Sequence, residues 1–371
     1  MSNNSQIFSS SSHTPVKRTA FVFSGGSSLG AVEVGLLKAI TEKGIKADIV
    51  LGTSVGSLNG ALYAYDPTLE GVKNLESIWH KVKFNDVFTP SPITPLKNLS
   101  TFGKYLISPK NIRKLLERSI PFTRLEETAI PFYAIATDLK TGREIVVNKG
   151  IALEALMSSI AIPMVYPPQY MHNMMLVDGG VVNNSPIATA VKLGANNIVV
   201  FHIGYPNTPD ADPKNLEEVL ARLFLYVLTR QLISDYHYYR TQVSIHILPS
   251  INDSRLDPFD FSHSKEWIDL AYQRAIEWLE QGGWESEELP DEFPCDVYSQ
   301  ELKFAEAVIP DKDKPAIARL GENLSEFSEN VKDKWQEKLE DTSSNLKQSL
   351  EEKKSRLEKV IKKKGLKSWK K

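Results

Sequence analysis

The chain has one cysteine in 371 residues, Cys295, so it can form no internal disulfide. A reducing compartment is expected, and the cytoplasm is the expected location. No apolar run reaches the ~18 residues that a transmembrane helix needs, so any membrane contact is expected to be peripheral, on the inner face. Met1 to Pro15 is rich in Ser and Asn and has no apolar core of a secretory signal. Charge of one sign is also missing. Lys and Arg number 44 against 46 Asp and Glu, a net of -2, which exerts no overall pull on nucleic acid. Two phosphate-binding loops are excluded by single residues. A dinucleotide fingerprint starting at Gly25 would need glycine where Ser27 stands, and no Lys-Ser/Thr pair closes a Walker loop. The 7 histidines sit in no recognisable catalytic motif. Neither a metal nor a cofactor is expected.

What is present begins with ordinary globular material, 42% hydrophobic and 24% charged, enough for a substantial core. Residues 1–18 read as a polar, disordered leader. Thr19 to Phe23 is a strand candidate that runs into Ser24-Gly25-Gly26-Ser27-Ser28-Leu29-Gly30, followed by a helical pattern with Val34, Leu37 and Ile40 on one face. Adjacent glycines before a helix leave backbone N–H groups exposed, which suits an oxyanion hole beside a nucleophile. A second unit repeats the plan. The apolar run Ala47 to Leu51 leads to Gly52-Thr53-Ser54-Val55-Gly56 and then to a small-residue helix, Ser57 to Ala64. Ser inside G-x-S-x-G between strand and helix is the pattern of a nucleophile elbow, whose strained serine needs small neighbours. The same five residues also fit a tight glycine turn with an N-capping serine.

Two successive strand–loop–helix units predict a parallel sheet with right-handed crossovers. Residues 66–125 read as a cap over one sheet end. Ile130 to Thr137 is a buried strand and Glu144 to Asn148 its hairpin partner. Met174 to Val177 is a further strand, ending in Asp178-Gly179-Gly180. Asp178 can project a carboxylate at the sheet tip or can cap the turn that follows. Pro186 at the first helical position, with Ser185 as the N-cap, reads as the start of the next helix, to Leu193. Asn197 to Ile203 and Val243 to Leu248 are strands, Leu216 to Tyr239 a long helix, and Lys265 to Glu280 an amphipathic one. Beyond Pro310 a narrow apolar stripe runs from Leu320 to Leu357. Residues 311–371 carry 17 basic and 12 acidic side chains, a net of +5 that leaves -7 on the rest. A basic amphipathic tail over 320–371 suits an anionic bilayer surface, and equally a coiled coil through which the chain self-associates.

Taken together, four stretches resemble the patatin-like phospholipase family. They are Ser24 to Gly30, Gly52 to Gly56, Ser158-Ser159-Ile160-Ala161-Ile162-Pro163 with Pro167-Pro168, and Val177-Asp178-Gly179-Gly180 with Asn183 to Pro186. Ala136-Thr137-Asp138 with Thr141-Gly142 looks like bacterial members. The resemblance covers roughly Thr19 to Leu193. It implies a three-layer α/β/α fold around a central, mostly parallel sheet. It also implies a lipid acyl hydrolase working on a glycerolipid or phospholipid ester through a Ser-Asp dyad without histidine. Ser54 would be the nucleophile and Asp178 the general base. Gly25, Gly26 and Ser27 would supply oxyanion N–H groups, with Gly30, Gly52, Gly56, Gly179 and Gly180 as structural support. The expected domain is 19–205, continued by helical and cap elements over 206–309 and a helical tail over 310–371. The commonest family loop is G-G-G-x-K/R-G. Ser27 replaces its third glycine and Leu29 its basic residue, and the Ser27 donor is expected to survive only at negative φ. Two other readings stay open: a Ser-His-Asp carboxylesterase using His202 or His246, and a catalytically silent lipid-binding or scaffold protein.

Overall fold

The computed structural model describes residues 17–88, 107–203, 216–251, 253, 255–286 and 289–290. All of these fall in one unit, Met1–Ser299. The leader up to residue 16, residues 89–106 of the expected cap, Cys295 and the tail over 310–371 lie outside the described residues, and with them the membrane and self-association readings.

The core is a sheet in the order β5-β6-β3-β2-β1-β7-β8, with β4 paired to β3. Its strands are β1 (Thr19–Phe23), β2 (Ile49–Thr53), β3 (Phe132–Asp138), β4 (Arg143–Val147), β5 (Gln169–Met171), β6 (Met174–Asp178), β7 (Asn197–Phe201) and β8 (Ser244–Ile247). β1, β2, β3, β7 and β8 run parallel. β4, β5 and β6 pair antiparallel. The antiparallel β5–β6 hairpin departs from the βα repeat that the sequence suggests. Only one strand was legible there, because β5 has three residues and follows two prolines.

Strand periodicity sorts the apolar residues into two layers. Phe21 and Phe23 of β1, Val50 of β2 and Val199 and Phe201 of β7 enter one cluster. Ala20, Val22, Ile49, Leu51, Ile198 and Val200 enter the other. The first face is covered by α1 (Gly30–Glu42), α2 (Val55–Tyr65) and α3 (Leu69–Trp79). The second is covered by α7 (Ile187–Lys192) and α8 (Leu216–Tyr239), through Ile187, Ala190, Leu232, Ile233 and Tyr236. This is the expected three-layer α/β/α arrangement. Each buried Phe or Leu in such layers contributes about 1.5–3 kcal/mol of transfer free energy.

Further helices complete the first layer: α4 (Phe84–Val87), α5 (Lys110–Ser119), α6 (Ala152–Ser159), α9 (Ser264–Glu280) and α10 (Gly283–Ser286). α9 crosses α1 closely at Gly35, where a Cβ would stand 2.2 Å from the Ile268 carbonyl oxygen. Ile268, Ala271 and Ala275 of α9 are fully buried there, the face that the helical spacing predicts. Among the described residues no helix is long and apolar enough to cross a membrane.

One expected cap is corrected. α7 starts at Ile187 with Pro186 at its N-cap, and Ser185 caps nothing. Its Oγ lies 2.7 Å from Ser24 Oγ instead, tying the start of this helix to the end of β1.

Candidate active site

The turns after β1 and β2 lie side by side at one sheet end. Thr53 closes β2, and Ser54 follows at φ 54, ψ -127, a conformation L-residues avoid. Its surroundings hold it there. The Ser54 N–H donates to Ser159 Oγ at 3.0 Å, and Ser159 Oγ–H donates to the Ile135 carbonyl at 2.6 Å. Ser57 Oγ–H donates to the Ser54 carbonyl at 2.6 Å. The flanking glycines make room for the turn. A Cβ on Gly52 would stand 2.3 Å from the Gly56 oxygen, and one on Gly56 would stand 2.5 Å from the Ser24 oxygen.

Sheet register brings the carboxylate in. β2 ends with Thr53 opposite Ile135 of β3, and β6 ends with Asp178 opposite the next β3 residue, Ala136. The two chain ends therefore meet at consecutive rungs. Ser54 Oγ–H donates to Asp178 Oδ2 at 2.6 Å, and Asp178 Oδ1 accepts from the Gly180 N–H at 2.8 Å. Thr137 Oγ–H donates to the Asp178 carbonyl at 2.8 Å. Burial raises the Asp178 pKa to about 6, against the lowering effect of its Ser54 and Gly180 donors. Gly179 admits the turn, since a Cβ there would stand 2.4 Å from the Ile135 oxygen. A Cβ on Gly180 would stand 3.1 Å from both Asp178 Oδ1 and Asn184 Oδ1.

The glycine loop abuts this pair. A Cβ on Gly25 would stand 2.9 Å from Ser54 Cβ, and one on Gly26 would meet Ile203. Gly25 is gripped on both sides by one amide: its N–H donates to Asn184 Oδ1 at 3.1 Å, and Asn184 Nδ2 donates to its carbonyl at 3.2 Å. Ser27 has φ 56, so it does not keep the negative φ on which its donor was expected to depend. The loop geometry of a glycine is kept, and the serine carries the strain. Leu29 is fully buried in the core, so no side chain at that place reaches the turn. Gly30 opens α1 where a Cβ would press on Val55 and Trp79 side chains.

Beneath the loop lies a fully buried carboxylate, Glu33. Its oxygens accept from the Ser24 N–H at 2.7 Å and from Asn59 Nδ2 at 2.8 Å, and Asn59 Oδ1 accepts from Trp79 Nε1 at 2.9 Å. Burial pushes the Glu33 carboxyl well above the usual range, opposed by those two donors.

Ser54 and Ser27 head a narrow apolar cleft with about 60 Å³ of space open to water-sized groups. Its walls include Leu58, Trp79, Phe88, Leu115, Ile160 and Phe261. Leu115 and Phe88 come from the described parts of the 66–125 insertion. No histidine lines this cleft among the described residues. His202 is buried at the end of β7, where burial lowers its pKa to about 3. His246 Nε2 lies 3.0 Å from Asn197 Oδ1, and its ring stacks on Trp284 at 4.0 Å.

Residues 21–191 match the family profile described as patatin-like phospholipase. This part of the chain is a patatin-like phospholipase domain. Curated relatives match a similar or somewhat longer share of the chain. Patatin-like phospholipase domain-containing protein 7 of Rattus norvegicus is 29% identical over 209 residues, 56% of this chain and 15% of that protein. Neuropathy target esterase sws of Drosophila melanogaster is 28% identical over 237 residues, 63% of this chain and 16% of that protein. The matched stretch thus spans about a sixth of the length of these relatives. Among solved structures, VipD from Legionella pneumophila aligns with a TM-score of 0.40 at 12% identity, over 72% of this chain and 67% of that one.

Within the patatin-like domain, several residues that shape the site had no predicted role: Ser159, Asn184, Thr137, and the Glu33–Asn59–Trp79 relay. Ser159 and Asn184 lie inside stretches that carry the family resemblance, but nothing local marks them as the residues that hold Ser54 and Gly25. Their partners are 105 and 159 residues away.

Proposed function

We propose that the chain hydrolyses carboxylic esters of acyl lipids, glycerolipids or phospholipids, through Ser54 and Asp178. The observation that carries this reading is the 2.6 Å hydrogen bond from Ser54 Oγ to Asp178 Oδ2 at the head of an apolar cleft. A buried carboxylate with a pKa near 6 is ionised at neutral pH yet basic enough to accept a proton. Ser54 Oγ attacks the ester carbonyl as its proton passes to Asp178 Oδ2. The tetrahedral oxyanion collapses, Asp178 returns the proton to the departing alcohol, and the acyl group stays on Ser54. Asp178 then takes a proton from water, the hydroxide attacks the acyl-serine, and the fatty acid leaves as the proton returns to Ser54. The N–H groups of Gly26 and Ser27 meet no acceptor among the described residues and are the backbone donors for the oxyanion. The walls from Leu58 to Phe261 suit an acyl chain, whose burial gains about 0.8 kcal/mol per methylene. The relatives' names, a phospholipase-domain protein and an esterase, favour the same chemistry. The histidine-based reading loses support, since Ser54 Oγ already donates to a carboxylate and neither His202 nor His246 lines the cleft.

The test is covalent and direct. A fluorophosphonate probe should add to Ser54, located by peptide mass spectrometry, and a panel of phospholipids and neutral glycerolipids should release fatty acid with wild type but not with Ser54→Ala. A panel with no Ser54-dependent release from any member overturns the proposal.

A further inference from the structure

The glycine loop is one backbone donor short. The Gly25 N–H, closest in sequence to β1, is engaged by Asn184, and Asn184 does not hang free. Its own N–H donates to Gln231 Oε1 at 3.3 Å, and Gln231 Nε2 donates to the Val182 carbonyl at 2.7 Å. Further along, the Ser28 N–H donates to the Pro258 carbonyl at 3.2 Å. Among the described residues of the loop, the Gly26 and Ser27 N–H groups remain for an incoming oxygen.

Ser27 has a second donor. Its Oγ is shut off from water and has no hydrogen-bond partner among the described residues. Buried hydroxyls are rarely left so, because a lost partner costs their desolvation. The residue lines the same cleft as Ser54. It also sits at φ 56, where glycine would rest without strain. What serine adds at this place over glycine is the hydroxyl.

We propose that Ser27 Oγ is a catalytic oxyanion donor that stands in for the Gly25 N–H taken by Asn184. The inference rests on the Ser54 hydrolase reading. The hydroxyl rotates about Cβ–Oγ to donate its hydrogen to the carbonyl oxygen as negative charge develops, and no bond to Ser27 is made or broken. A donor held ready in an apolar cleft acts on the transition state more than on the bound ester.

Ser27→Ala removes the hydroxyl and keeps the Cβ and the loop. With a p-nitrophenyl acyl ester, kcat should fall on the order of 100-fold while KM stays within about twofold. An alkyl trifluoromethyl ketone, which forms a tetrahedral oxyanion on Ser54, should lose affinity by a similar factor, and the matching alkyl ether should bind unchanged. A merely structural role would not split the two ligands. Ser27→Gly should show the same kcat loss together with a raised Tm, so poor folding cannot be the cause. If either variant keeps wild-type kcat and ketone affinity while Ser54→Ala is dead, this inference falls alone. If the wild type shows no Ser54-dependent turnover, the hydrolase reading falls and takes this one with it.

Discussion

The turn after β1 and the turn after β2 hold serines at nearly the same positive φ, 56 at Ser27 and 54 at Ser54, for different reasons. At the elbow the backbone is over-determined. Gly52 and Gly56 interlock, Ser159 and Ser57 bond the Ser54 peptide, and Asp178 takes the Oγ–H. In the glycine loop the same strain is met by less. Asn184 clamps Gly25, but the Ser27 hydroxyl is unpartnered. Strain that is surrounded by bonds on every side marks a position the fold itself holds. Strain beside an unsatisfied donor marks a position completed by something that enters.

The comparison breaks most easily at the Asp178 side. Asp178→Asn should lower ester turnover by on the order of a thousandfold, because the proposed general base is gone. The wild-type rate should rise with pH and level off above the Asp178 pKa of about 6, since only the ionised carboxylate accepts the serine proton. A flat profile between pH 5 and 7 would argue against Asp178 as the base. The stability effect has the opposite sign. The folded pKa is raised from 3.8 to about 6, so the protonated group's contribution is full below about pH 4 and lost as pH rises through about 6. Asp178→Asn should therefore be the more stable form at pH 8, by on the order of 2–3 kcal/mol, with the gap closing near pH 4. Urea titrations at the two pH values measure it.

The elbow's steric lock gives the next effect. Gly52→Ala places a Cβ 2.3 Å from the Gly56 oxygen, a backbone atom that cannot swing aside. A loss of about 3 kcal/mol or more is expected from overpacking at this site. A urea midpoint close to wild type would show the elbow to be softer than the comparison claims.

The smallest effect belongs to the glycine loop. Ser27→Gly should raise stability by about 1 kcal/mol, by removing the cost of a left-handed serine. Thermal unfolding reads this directly. A fall in Tm would mean that the serine is held as firmly as Ser54, and the contrast between the two turns would disappear.

How much of this was legible varies with the range of the contacts. β1 and β2 showed as apolar runs ending in glycine turns, and α8 over Leu216–Tyr239 showed at both ends, because helix and strand periods are local. The residue proposed as base was legible, but its role was not. Asp-Gly-Gly at a strand end reads equally as a capped turn, and only the company of the other motifs pointed to Asp178. β5 was missed for want of length. The Ser185 cap was misjudged because its hydroxyl is drawn to Ser24, 161 residues away. The sign of φ at Ser27 was left open for a related reason. Residue preference favours negative φ, but the loop is bounded by Ser54, Ile203 and the buried Glu33, and the neighbours set the backbone.

By itself the sequence determined the local pieces: small-residue turns after apolar strands, a serine in one of them, and an acid followed by two glycines. These follow from sterics within a few residues, which any chain must obey wherever it folds. Tertiary structure alone decided that β6 runs antiparallel along β3 and ends one rung beyond β2. That register joins Ser54 to an acid 124 residues away, and the burial it imposes lifts the acid's pKa. It also decided that Asn184 occupies Gly25 and leaves the Ser27 hydroxyl without a partner. Register and burial belong to the whole sheet, so no window of sequence contains them.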